Sequence, residues 1–121
     1  LFGKNENRKL VCRFSELYCE SCVNYAILKI KNRTDSLGKN NILFLGMYEN
    51  NTSLKILKPQ YNIQDMNVYN TGALSLPAEE MGFPYYFVLD SALRVTDVFV
   101  PNKIVPELTD RYLKMIRERY F

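Results

Sequence analysis

Residues 41–48, NILFLGMY, form a nearly unbroken apolar run, and that run constrains the fold more than any other stretch of the chain. A strand of this kind suits a position covered on both faces, in the interior of a sheet. Before it, residues 9–14 (KLVCRF) read as a strand. Between the two, residues 19–32 read as a helix, because Val23, Ala26, Ile27 and Ile30 recur at helical spacing. Gly38, Asn40 and Asn41 end that unit. A strand–helix–strand opening of this length predicts a parallel pair joined by a crossover.

The remainder predicts a different connectivity. Thr52 or Ser53 can cap a short helix from Leu54, which Pro59 is expected to stop. Residues 67–69 are a weak strand, and residues 70–82 are irregular, with a turn of helix near Glu79. Residues 85–90 and 94–100 predict a hairpin across Ser91 and Ala92. A final helix over 105–119 has Pro106 and Glu107 at its start and basic residues at its end, with Leu108, Tyr112, Met115 or Ile116, and Tyr120 as its apolar stripe. The expected fold class is therefore α/β, a mixed central sheet flanked by helices on both faces, in one domain spanning residues 1–121.

Composition removes several function classes. With 121 residues, 47% hydrophobic and 24% charged, the chain can bury a core without disulfide staples. The net charge of +3 is mild and its basic residues are scattered, so neither nucleic acid nor a membrane surface is an expected partner. No apolar run approaches the roughly 20 residues of a membrane-spanning helix. The chain opens on Leu1, which reads as a processed or trimmed terminus. The absence of histidine takes away the commonest general base and metal ligand, and with it Cys-His dyads.

Chemistry concentrates in Cys19-Glu20-Ser21-Cys22, which follows the first strand and opens the first helix. A thiol at a helix N-terminus meets unpaired N–H groups and the positive end of the dipole, both favouring thiolate. Cys19 is the expected nucleophile, and Cys22, one turn further in, the resolving cysteine. A zinc or iron–sulfur site needs about four ligands, and Cys12 is the sole further cysteine, so no metal or other cofactor is expected. A purely structural disulfide is the other reading of the pair. Cys12, inside the first strand, reads as a small buried hydrophobe. The sequons at Asn32, Asn50 and Asn51 read as chance in an asparagine-rich chain.

Taken together, residues 10–22 (LVCRFSELYCESC) and 82–90 (GFPYYFVLD) resemble the thioredoxin superfamily across essentially the whole chain. Tyr18 stands at the family's usual tryptophan position. The pattern after Pro84, continuing into Arg94-Val95-Thr96, resembles the TlpA/ResA-like redoxins. That resemblance implies a thiol–disulfide oxidoreductase in which Pro84 is cis, with Tyr18, Phe83 and Pro84 contacting substrate. It also implies protein thiols and disulfides as partners, with an upstream redox donor. The setting it implies is extracytoplasmic, periplasmic in the first place, with a membrane tether outside this chain; a cytoplasmic setting is the alternative. Ser21, replacing the family's common proline, implies a more oxidising pair, and Arg13 stands where cytosolic thioredoxins carry a buried acid. Two other functions compete with this one, while the copper-delivery relatives of the fold need a histidine and the chain has none. A peroxiredoxin-like thiol peroxidase would need a hydroxyl residue where Glu16 stands, and a non-enzymatic binding module would leave the cysteines incidental.

Overall fold

Alternation along Arg8–Ser15 (β1) sends Leu10, Cys12 and Phe14 to one face and Val11 and Arg13 to the other, and all five are buried. A strand buried on both faces belongs at the centre of a sheet. The computed structural model, which describes residues 7–121, places it there. In chain order the elements after β1 are α1 (Glu20–Lys31), a single turn α2 (Thr34–Leu37), β2 (Ile42–Met47), α3 (Asn51–Gln60), β3 (Asn67–Asn70), β4 (Tyr85–Asp90), β5 (Val95–Phe99) and α4 (Pro106–Tyr120). Short 3₁₀ helices occupy Lys39–Asn41 and Pro77–Met81. Leu1 and its reading as a trimmed terminus lie outside the described residues.

The sheet runs β3-β2-β1-β4-β5. β1 pairs with β2, and β2 with β3, in parallel, while β4 is antiparallel to both β1 and β5. The mixed sheet expected from the sequence is thus present, with the three long helices on one face and a segment bearing a 3₁₀ helix on the other. One face carries α1, α3 and α4, whose Val23, Ile27, Leu54, Leu57, Leu113 and Ile116 pack on Phe14, Phe44 and Tyr86. The other is covered by the segment 71–81 with its 3₁₀ helix, where Ala78, Leu74 and Leu76 meet Val11, Leu43, Tyr85 and Phe87.

Three local expectations need correction. α3 starts earlier than predicted, because Asn50 is its cap: the Asn50 Oδ1 accepts from the Ser53 N–H at 3.0 Å. Pro59 lies inside its last turn, where the carbonyl that loses its donor is that of exposed Lys55 and is open to water. On α4 the buried stripe is Thr109, Tyr112, Leu113 and Ile116, whereas Leu108 is exposed. The helix is rotated so that Thr109 faces α1 and accepts the Tyr25 hydroxyl at 3.2 Å.

Candidate functional site

The site lies at the C-terminal edge of β1, the end at which open α/β sheets usually present their functional groups. Ser15 closes the strand. Its hydroxyl donates to the Met47 carbonyl and accepts from the Leu17 N–H, each at 3.1 Å. The Tyr18 N–H returns to the Ser15 carbonyl, and the Val23 N–H bonds to the Cys19 carbonyl as the first helical bond. Cys19 is therefore the N-cap of α1, a position with extended rather than helical backbone.

At that cap the Cys19 Sγ accepts the Cys22 N–H at 3.4 Å and sits 3.3 Å from the Ser21 hydroxyl. The two thiols are unbonded, Cys19 exposed and Cys22 half-buried. The Cys19 pKa is lowered from the ordinary 9.0 to about 7, first because the Cys22 side chain donates to it, then through the Ser21 hydroxyl and the Cys22 N–H. The Cys22 thiol is shifted upward, since its proton is held on Cys19 and its surroundings are partly desolvated. Burial also pushes the Cys12 thiol up strongly. The asymmetry assigns different abilities to the pair: an exposed sulfur that ionises near neutrality beside a half-buried sulfur that holds its proton to higher pH.

Phe83 is half-exposed and lines a largely apolar groove of about 490 Å³ with Cys22, Tyr25, Met81, Val100 and Ile104. Pro84 is buried and its peptide bond is trans, as is every described bond, which corrects the cis expectation. Trans is the favoured isomer of an X–Pro bond by about 0.5–1 kcal/mol. Gly82, left-handed with φ 75°, ends the 3₁₀ helix ahead of β4. Tyr18 is not in the Phe83 groove. It lines a separate cleft of about 260 Å³ with Tyr48 and Tyr61, and its hydroxyl reaches the Glu79 carbonyl at 3.5 Å. The structure thus brings together Cys19 and Cys22, sets Phe83 beside Cys22, and leaves Tyr18 and Pro84 outside that groove.

Two features escape a reading of sequence. Lys103, from the loop between β5 and α4, donates its ammonium to the Ser21 hydroxyl at 2.5 Å. Arg13 is fully buried, and its guanidinium is completely satisfied. Nε meets Glu79 Oε1 at 2.8 Å, Nη2 meets Glu79 Oε2 at 3.3 Å and the Gly72 carbonyl at 2.7 Å, and Nη1 meets the Thr71 hydroxyl and the Gly46 carbonyl. Glu79 also accepts from the Tyr85 hydroxyl at 2.6 Å and the Leu74 N–H at 3.1 Å. Among the described residues no group of three or more His, Cys, Asp or Glu side chains is placed to hold a metal.

A five-stranded mixed sheet in this order, with a cysteine pair opening the helix that follows its central strand, defines a thioredoxin-like fold. A solution structure from Bacteroides vulgatus, provisionally described as a thiol-disulfide oxidoreductase, is similar: its TM-score is 0.56 at 9% identity, over 91% of this chain and 74% of that one. No family model and no curated protein matches the sequence.

Proposed function

We propose that the protein is a thiol–disulfide oxidoreductase that exchanges two electrons with protein cysteines through Cys19 and Cys22. One observation carries the reading: the exposed Cys19 sulfur caps α1 with its pKa lowered to about 7, while the Cys22 thiol lies one turn further in. Cys19 thiolate attacks one sulfur of a partner disulfide, forming a mixed disulfide and expelling the partner's other sulfur as thiolate. Cys22 then loses its proton to solvent and attacks the Cys19 Sγ. The Cys19–Cys22 disulfide forms and the second partner thiolate leaves, so the partner is reduced and this chain oxidised. The reverse sequence oxidises a partner dithiol. An upstream dithiol donor would regenerate the reduced pair.

The description of the Bacteroides vulgatus neighbour supports the same chemistry. We place the protein in the TlpA/ResA-like branch, in an extracytoplasmic setting, on the likeness of residues 82–96 alone. In this reading Phe83, beside Cys22, contacts the partner chain.

The test is equilibration in graded glutathione or dithiothreitol buffers, with trapped thiols counted by mass spectrometry. A reversible Cys19–Cys22 transition with a defined midpoint is expected. Thiols that never pair, or pair irreversibly, would exclude the exchange reaction and leave a binding module as the better account.

A further inference from the structure

The loop between β5 and α4 contributes a charge to the cysteine pair from the far end of the chain. Its turn is held by Asn102, whose side chain accepts the Ile104 N–H at 2.9 Å and whose carbonyl accepts the Val105 N–H at 3.1 Å. Lys103 projects from that turn to Ser21, and Ser21 lies against Cys19. An ammonium can only donate. The Ser21 oxygen therefore accepts from Lys103, and once Cys19 is a thiolate, which can only accept, the Ser21 hydrogen is the one donated to its sulfur.

We propose that Lys103 is a positioning residue that orients and polarises the Ser21 hydroxyl toward the Cys19 thiolate, and so biases the pair toward its reduced form. A disulfide sulfur is a far weaker acceptor than a thiolate, so this hydrogen bond is strong only when the pair is reduced. Stabilising the reduced form makes a dithiol pair a better oxidant. The titratable groups acting on Cys19 are Cys22, on its own helix, and Lys103, on the β5–α4 loop. Both lower its pKa, but only Lys103 acts from outside the CxxC segment. The inference rests on the exchange reading for its redox consequence, though not for its effect on ionisation.

The experiment follows the rate of Cys19 alkylation by iodoacetamide against pH, read on the Cys19 peptide by mass spectrometry. It compares the wild type, Lys103→Met, Lys103→Arg, Ser21→Ala and the Met–Ala double variant. At pH 6 the rate in Lys103→Met should fall about two- to fivefold, the size expected of one exposed charge. Lys103→Arg should retain most of the wild-type profile. In the Ser21→Ala background, Lys103→Met should shift the profile by less than half as much, because the route through the hydroxyl is gone. An unchanged midpoint in Lys103→Met, or full additivity with Ser21→Ala, would overturn the proposal. Glutathione equilibration of Lys103→Met should show a pair that is harder to reduce by a similar factor. A wild-type pair that never cycles in glutathione would sink the oxidoreductase reading, while the alkylation profiles would still decide the role of Lys103.

Discussion

Cys12 and Cys19 carry the same thiol in opposite surroundings. Cys12 is fully enclosed among Leu10, Phe14 and Tyr86, where a thiolate would be desolvated without a partner. Cys19 is exposed and receives three donors. In the native protein, iodoacetamide should therefore modify Cys19 with half-maximal rate near pH 7, rising about tenfold per pH unit below it and levelling above about pH 8. Cys12 should stay unmodified until denaturant is added. Peptide mapping checks both, and rapid native labelling of Cys12 would contradict the packing. Replacing Cys22 by Ser should leave Cys19 able to attack but unable to resolve, so mixed disulfides with a partner protein accumulate. Cys19→Ser should accumulate none. A non-reducing gel distinguishes the two. The pair was legible in sequence because its chemistry lies within four consecutive residues. Lys103 was not, since nothing local tells that one lysine in an exposed loop reaches Ser21.

Among the elements, the segment 71–81 depends most on a single interaction. It carries no α-helix or strand of its own, yet it covers one whole face of the sheet. Arg13 on β1 anchors it through Glu79, Gly72 and Thr71. Removing one member of a buried ion pair leaves the other charged and uncompensated, at a cost of about 3–5 kcal/mol. Glu79→Gln should accordingly lower stability by that order in urea unfolding, with a larger loss than Glu80→Gln on the exposed side of the same turn. The pH dependence has a definite sign. Burial alone would raise the Glu79 pKa, but the bonds from Arg13, Tyr85 and the Leu74 N–H outweigh it and lower the value. Its contribution is therefore complete above the ordinary carboxylate range and is lost as pH falls through the lowered folded value. Wild type should lose stability on acidification more steeply than Glu79→Gln; parallel acid profiles would refute the role given to Glu79. The periodic elements were readable within a residue or two, because α1 and β2 bury continuous patterns. The cap at Asn50 was not, because Asn50, Thr52 and Ser53 are all competent caps and only packing selects among them. Arg13 and Glu79 were unreadable as a pair because their meeting is a property of the fold, not of either neighbourhood.

At the level of the whole molecule, the order β3-β2-β1-β4-β5 distributes stability unevenly. β1 is hydrogen-bonded on both sides and covered on both faces, and β2 is nearly as enclosed. β3 is an edge of four residues, and β5 is an edge whose pairing with β4 is interrupted between Tyr86 and Val88. Sequence foretold a parallel half joined to an antiparallel half. It did not foretell that α1, α3 and α4 would share one face, since each helix shows an apolar stripe but no stripe names its partner. That arrangement has a kinetic consequence for the site. Cys19 and Cys22 are held by α1 at the end of the most enclosed strand, whereas Lys103 hangs from the loop after an edge strand. Native-state hydrogen exchange should show the slowest amides in β1 and β2 and faster exchange in β3, β5 and residues 100–105, because edge elements open locally without global unfolding. If β5 and its loop exchange as slowly as β1, the sheet opens only as one unit, and Lys103 is held at Ser21 by the same cooperative structure that holds the cysteines. If they exchange faster, opening of β5 can withdraw the lysine while the α1 cap on Cys19 stays formed, and low denaturant should raise the Cys19 alkylation midpoint before it exposes Cys12.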